Sequence, residues 1–329
     1  MSLSSFFAEY GLFIVQLLTA AFLFAAIVLV IVIVSRRSSE ETGSIRVTKL
    51  NERFEHMRDA VENVLLDKKQ LKQNRKTRRQ EQKKLKSSDE RRERIYVIDF
   101  KGDLRASATA SLRQEVGAIL AVAEAGETVL VRLENAGGAV HEHGLAASQL
   151  LRFRKKNLNL VVAVDKVAAS GGYLMASVAN QILAAPFAIV GSIGVLMQLP
   201  NFHRWLESKG IDYEQVTAGQ FKRTLTVFGE NTDEDRAKVR AELEEVHAIF
   251  KSQILEHRPQ IDIERVATGE YWYGVQALEL GLVDVLRTSD EYLSERLDTV
   301  DLYRFEYKRR KSYPERMLAS AQALFSAWR

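Results

Sequence analysis

The sequence predicts an α/β domain on a mostly parallel sheet, carried behind one N-terminal transmembrane helix and a charged helical stalk. Three observations predict it. Short apolar runs of strand length alternate with stretches of helical periodicity from Ile95 to Asp284, the pattern of βαβ units with right-handed crossovers. The strands run into glycine turns at Gly137 and Gly138, Gly171 and Gly172, and Gly191 and Gly194. In an open α/β sheet such strand ends converge on one crevice. Ahead of all this, the 24 residues from Gly11 to Val34 carry no charge.

Residues 1–10 are a short polar-aromatic flank. Residues 11–35 read as the membrane anchor. A helix of 24 residues spans about 36 Å, enough to cross a hydrocarbon core of about 30 Å with some tilt. A cleaved signal peptide would have a basic start and a shorter apolar core. Here no Lys or Arg precedes the run, and it ends in Val and Ile before Arg36 and Arg37, so the anchor is expected to stay. Residues 36–94 read as the stalk. Val47, Leu50, Phe54, Met57, Val61, Val64, Leu65 and Leu71 recur at three and four, the spacing of an amphipathic helix. From Lys68 to Arg94 there are thirteen Lys and Arg against four Asp and Glu. The net charge of +4 therefore hides one basic segment in an otherwise acidic chain. That segment lacks interleaved aromatics and follows an anchor. It reads as a spacer touching anionic lipid head groups, not as a nucleic-acid site.

The sheet domain is expected over residues 95–300. Tyr96–Phe100, Thr128–Leu133, Leu160–Val164, Gln181–Ala184 and Tyr213–Thr217 read as strands, with a last one starting at Leu282. Leu112–Ala125, Gly144–Lys155, Asn201–Lys209 and the long charged run Asp233–Leu255 read as helices. Residues 301–329 read as a basic tail that turns amphipathic at Met317, Leu318, Ala321, Leu324, Phe325 and Trp328, a face for a partner subunit or a bilayer surface.

The chemistry is bounded by what is missing. With no cysteine, disulfides, thiolate catalysis and cysteine-ligated metals are excluded. Of six histidines only His141 and His143 are close; on a strand they would share a face, but no acidic third ligand stands at metal-site spacing, and each reads as a surface residue. Ser170, between the strand Val161–Val164 and the apolar run Leu174–Ala179, sits at a strand-to-helix turn. Such a turn can hold a nucleophile exposed among backbone N–H groups. Lys166 lies about 13 Å away along an extended chain, too far to serve as its base. Lys222 follows a glycine turn and is a better candidate base than Lys166, provided that burial or a nearby positive charge such as Arg223 keeps its amine neutral; spacing alone favours a surface lysine in a loop.

Five motifs carry a resemblance: Leu133–Gly138 (Leu-Glu-Asn-Ala-Gly-Gly), Val167–Tyr173, Val190–Val195, Ala218–Lys222 and Trp272–Asp284. In this order they resemble the signal peptide peptidase A family, most closely its SohB branch. The resemblance covers nearly the whole chain. It implies a ClpP/crotonase-like fold and a Ser–Lys dyad, with no cofactor and no metal. Ser170 matches the nucleophile, Lys222 the general base and Ser192 the serine that hydrogen-bonds the lysine. Gly138 and the N–H of Gly171 match the oxyanion hole, with the choice between Gly137 and Gly138 left open. Ala136 departs from the family's proline, which would pre-set the turn, and Arg223 departs from an acidic or small residue.

The expectation is a membrane-anchored serine endopeptidase acting on peptide or protein substrates, signal-peptide remnants or unfolded chains, as a homo-oligomer in the bacterial inner membrane. No nucleic-acid partner is expected. A crotonase-type acyl-CoA enzyme and a non-catalytic oligomeric membrane scaffold are the alternatives. The side of the membrane is open. Arg36, Arg37, Arg46 and Lys49 after the span, against Glu9 before it, favour a cytoplasmic domain, whereas the resemblance implies a periplasmic one.

Overall fold

A computed structural model describes residues 11–24, 43–87, 92–219 and 221–309. Residues 46–306 form one compact unit; residues 1–45 and 307–329 form a second. In the second unit residues 11–24 are helical (α1), with apolar side chains exposed. The rest of the expected anchor and the amphipathic part of the tail lie outside the described residues. Among the described residues no helix is long and apolar enough to cross a membrane.

The chain continues through β1 (Gly43–Lys49), α2 (Leu50–Leu65), α3 (Lys68–Ser87), β2 (Arg94–Lys101), α4 (Thr109–Val122), β3 (Thr128–Glu134) and α5 (Val140–Lys155). Next come β4 (Asn159–Val164), β5 (Val167–Ala169), α6 (Gly171–Ser177), β6 (Gln181–Ala184), β7 (Ile189–Gly191) and α7 (His203–Glu207). The long α8 (Asp233–His257) leads to α9 (Ile263–Val266), β8 (Tyr271–Tyr273), α10 (Gly274–Glu279), β9 (Val285–Leu286), α11 (Ser289–Ser294) and β10 (Asp301–Arg309). The main sheet has the order β1-β10-β2-β3-β4-β6-β9. Every pairing from β10 across to β9 is parallel. The predicted parallel α/β fold is therefore observed.

The central strands are buried on both faces, which is why β4 reads as an unbroken apolar run. Ile95, Val97, Leu130, Val161, Ala163 and Leu183 point to one side, joined there by Leu293, Leu302 and Leu50. Residues of opposite parity, such as Ile98, Val131 and Val162, are equally buried. Strand alternation sends them to the other face, the side on which α4 and α5 bury Leu112, Ile119, Leu150 and Phe153.

Four expectations are corrected. Residues 43–49, expected within the stalk, are a strand of the main sheet, and Asp301–Arg309, expected to open the tail, is the strand beside β2. Besides the pairing of β1 with β10, these segments are joined by Asn51, a buried side chain next to β1. Its Nδ2 donates to the carbonyls of Leu297 (3.0 Å) and Val300 (2.9 Å), and its Oδ1 accepts from Leu302 N–H (2.8 Å). The charged segment also folds back on itself. Asp67 Oδ1 caps the N–H groups of Lys69 and Gln70 at 2.8 Å, starting a new helix. Arg78 of that helix then pairs with Asp59 (3.0 Å) and Glu62 of α2. Finally, Tyr213–Thr217 is not a strand but part of an irregular, exposed loop.

Removing the Asn51 amide would strand three buried backbone groups. We expect Asn51→Ala to lose about 2–4 kcal/mol of stability, read as a lower urea midpoint for the full chain. An unchanged midpoint would mean that residues before 92 are not part of the folded core.

Candidate active site

A second sheet, β5-β7-β8, shapes the crevice at the strand ends. β5 and β7 run parallel with Ala169 opposite Gly191, and β8 runs antiparallel to β7. These strands are three residues long, and each of the first two ends at a serine. Ser170 N–H donates to Gly191 O at 2.7 Å and Ser192 N–H to Glu270 O at 2.7 Å. Both serines are held at φ +52°, a region that non-glycine residues seldom occupy and that costs of order 1–3 kcal/mol. Ser170 adopts φ +52°, ψ −122° and caps α6. The strain turns its side chain out of the strand just before the helix begins, and the hydroxyl-bearing residue stays half-buried.

The glycine turn after β3 lies against this serine. A side chain on Gly137 would meet Ser170 Cβ at 2.7 Å and Gly171 N at 3.0 Å. Gly138, at φ +152°, has no room for one either, because Leu104 O would be 2.1 Å from its Cβ. Leu104 O also accepts from Ala139 N–H at 2.9 Å. Gly137 N–H is taken by Asn135 Oδ1 at 2.9 Å. Among the described residues no hydrogen bond engages the N–H of Gly138 or of Gly171. Gly138 and Gly171 thus carry unspent donors, whereas the N–H of Gly137 is engaged.

Helix α6 is anchored behind the site. Tyr173 is fully buried and its hydroxyl donates to Leu282 O at 2.9 Å. Burial holds this phenol neutral by pushing its pKa well up. Leu282 belongs to a segment locked by Arg258, whose guanidinium grips both oxygens of Asp284 at 2.7 and 2.8 Å.

Lys222 is placed differently. It lies on the exposed loop after α7. Among the described residues no hydrogen bond joins it to Ser170 or Ser192; its backbone N–H closes a turn to Gly219 O at 3.1 Å. The neck of the loop is pinned, with Phe202 N–H donating to Val227 O (2.7 Å) and Asn201 to the carbonyls of Thr226 and Gly229 (both 2.9 Å). Val216 is 97% exposed, and Phe221, beside Lys222, meets Lys238 Nζ of α8 at 5.1 Å from its ring centre. The strand ends therefore gather Ser170, Gly171 and Ser192 beside the turn at Gly137 and Gly138, while the Lys222 side chain is exposed on its loop. Lys166 is exposed and paired with Glu134 at 3.2 Å. Asp165 is structural, holding Ser289 through its N–H (2.7 Å) and hydroxyl (2.6 Å).

The reading of His143 as a surface residue is wrong. Residues 140–155 form a helix rather than a strand, so positions 141 and 143 point apart. His141 is exposed and His143 is completely buried. Its Nδ1 lies 2.9 Å from Ala139 O and its Nε2 3.2 Å from Asn135 Oδ1. Asn135 was likewise passed over; its only sequence signal is its place two residues before a glycine, where an Asx turn can form.

The sequence matches the model of the peptidase family S49 N-terminal region over residues 5–150 and that of peptidase family S49 over residues 152–302. It is 44% identical over 322 residues to a probable protease SohB of Haemophilus influenzae, covering 94% of this chain and 91% of that one. It is 41% identical to a probable protease SohB of Buchnera aphidicola subsp. Schlechtendalia chinensis, covering 88% and 99%. Among solved structures, a membrane-bound stomatin-specific protease aligns with a TM-score of 0.42 at 12% identity, covering 70% of this chain and 98% of that one. On both matched regions and on these relatives, the chain belongs to peptidase family S49.

Proposed function

We propose that this peptidase is a membrane-anchored serine endopeptidase with Ser170 as nucleophile and Lys222 as general base. The observation that carries the reading is the strained Ser170 between two unspent N–H groups, those of Gly138 and Gly171. Ser170 Oγ attacks the peptide carbonyl while the Lys222 amine takes its proton, and the two N–H groups hold the resulting oxyanion. The protonated lysine then gives its proton to the leaving amine. Water, activated by the same lysine, hydrolyses the acyl-enzyme. Ser192, beside Ser170 on the adjacent strand, is the residue that orients the lysine. The dyad requires the loop that carries Lys222 to fold over the crevice, because a general-base amine has to be sheltered from water.

Unfolded or membrane-derived polypeptides fit this crevice better than folded proteins, because a peptide must lie extended between a glycine turn and a strained serine. The crotonase-type and scaffold alternatives have no use for a strained serine between those donors. The anchor reading rests on the charge-free run from Gly11 to Val34 and on the apolar side chains exposed along α1. A single span places the domain on one side of the inner membrane, and homo-oligomers would enclose the crevice.

Ser170→Ala and Lys222→Ala should each lower kcat on an unfolded protein substrate by at least about 10³-fold, and a phosphonate probe should label Ser170 in the parent; parental rates in both variants would end the dyad reading. Gly138→Ala places a Cβ against the Leu104 backbone and should lower kcat by about 10²-fold while circular dichroism stays unchanged. Reporters fused after Arg37 and at the C-terminus should both report the same side of the membrane, and opposite sides would require a second crossing.

A further inference from the structure

The oxyanion turn of this chain has Ala136 where a proline would otherwise hold it, and Ala136 is exposed. Something else must fix the turn. Asn135 stands where the turn and the serine strand are joined by an isolated bridge. Its N–H donates to Val167 O at 2.9 Å and its carbonyl accepts from Ala169 N–H at 3.0 Å. Its side chain reaches forward, and Oδ1 accepts from Gly137 N–H at 2.9 Å. That contact assigns the amide, since an N–H must face the oxygen. Nδ2 is left against Met175 Sδ at 3.3 Å.

Glycines make room for Asn135: a Cβ on Gly102 would sit 2.5 Å from its Cγ, and one on Gly172 would sit 2.2 Å from its backbone carbonyl oxygen. His143 closes the niche. Its Nε2 is 3.2 Å from Oδ1, and its ring lies where a side chain on Gly171 would be, 2.5 Å from Cγ. One buried imidazole thus touches both the residue that holds the glycine turn and the glycine that supplies the second donor.

We propose that Asn135, braced by His143, is the positioning residue for the oxyanion hole. By occupying Gly137 N–H it keeps that donor out of the crevice and turns Gly138 N–H into it, and its backbone fixes that donor relative to Ser170. The His143 ring sets the amide rotamer and the height of Gly171. The inference rests on the serine-protease reading above and adds a residue that touches no reacting atom.

The test uses the full-length chain, an unfolded protein substrate and a fluorophosphonate probe for Ser170. Asn135→Ala should lower kcat about 10- to 100-fold with KM within about twofold, because a displaced donor is felt in the transition state and not in substrate binding. Asn135→Asp keeps an acceptor for Gly137 N–H and should recover to within about fivefold of the parent; His143→Phe keeps the ring's bulk but not its nitrogen and should lose about tenfold in kcat. A folded Asn135→Ala with parental kcat, or an Asn135→Asp as slow as Asn135→Ala, overturns the proposal. If Asn135→Ala does not fold, a near-parental Asn135→Asp with a slow His143→Phe supports it, and equal rates for those two overturn it. A parent that the probe does not label removes the serine-protease reading and the inference with it. A labelled parent with unaffected variants removes only the positioning role.

Discussion

Two backbone hydrogen bonds carry the architecture of this site. Asn135 pairs with β5 through Val167 O and Ala169 N–H, an isolated parallel bridge opposite Ala168. It extends β3 by one residue after the main sheet has ended and couples that strand to the smaller sheet. Everything in the crevice is referenced to it. The glycine turn leaves from its C-terminal side, and Ser170 follows directly on the strand it grips. A hydrogen bond of this kind contributes only about 1 kcal/mol net. Its value here is geometric, because it fixes two loops that would otherwise move independently.

Strain is tolerated in the same place for the same reason. Ser170 and Ser192 share φ +52° at the ends of neighbouring parallel strands. Each is bonded through its N–H to a carbonyl of the next segment, Gly191 and Glu270. The unfavourable torsions persist because surrounding pairings over-determine them. Glycine is needed where backbones approach: Gly172 lies against the Asn135 carbonyl and Gly138 against Leu104. These close approaches let N–H groups face an open crevice instead of being consumed by regular structure.

Much of this was legible in the sequence, for identifiable reasons. β2, β3 and β4 are buried on both faces and read as apolar runs, and α5 and α8 show long periodic stretches. The glycine turns stood out because composition marks them. β5, β7 and β8 were illegible as a sheet, since three residues carry no period. β1 and β10 were hidden for another reason. They mix Arg, Lys and Glu with isolated apolar positions because much of their length is half-exposed, so they resemble stalk and tail. Asn51, which ties distant segments together, gives no signal, and Asn135 only the weak one of an asparagine two residues before a glycine, because a buried amide is recognised by the backbone groups it meets. His143 was misjudged through its element: spacing of two means a shared face on a strand and opposite faces on a helix.

The site is also divided in mechanical character. Ser170, Gly171 and Gly138 are fixed by strand pairing, by a buried tyrosine behind α6 and by glycine contacts that leave no slack. The residue proposed as base sits on an exposed loop whose described hydrogen bonds to the rest of the chain cluster at its neck. Segments with few buried contacts open and close at little free-energy cost. A serine hydroxyl with its oxyanion donors in place is inert until a neutral amine reaches it. Under the proposed mechanism, the rigid half defines where a carbonyl must lie and the loose half decides when the hydroxyl is activated. Under the same mechanism, a peptide bound in the crevice would offer apolar surface to Val216 and Phe221, which are exposed here, and its binding would favour an inward position of the lysine loop.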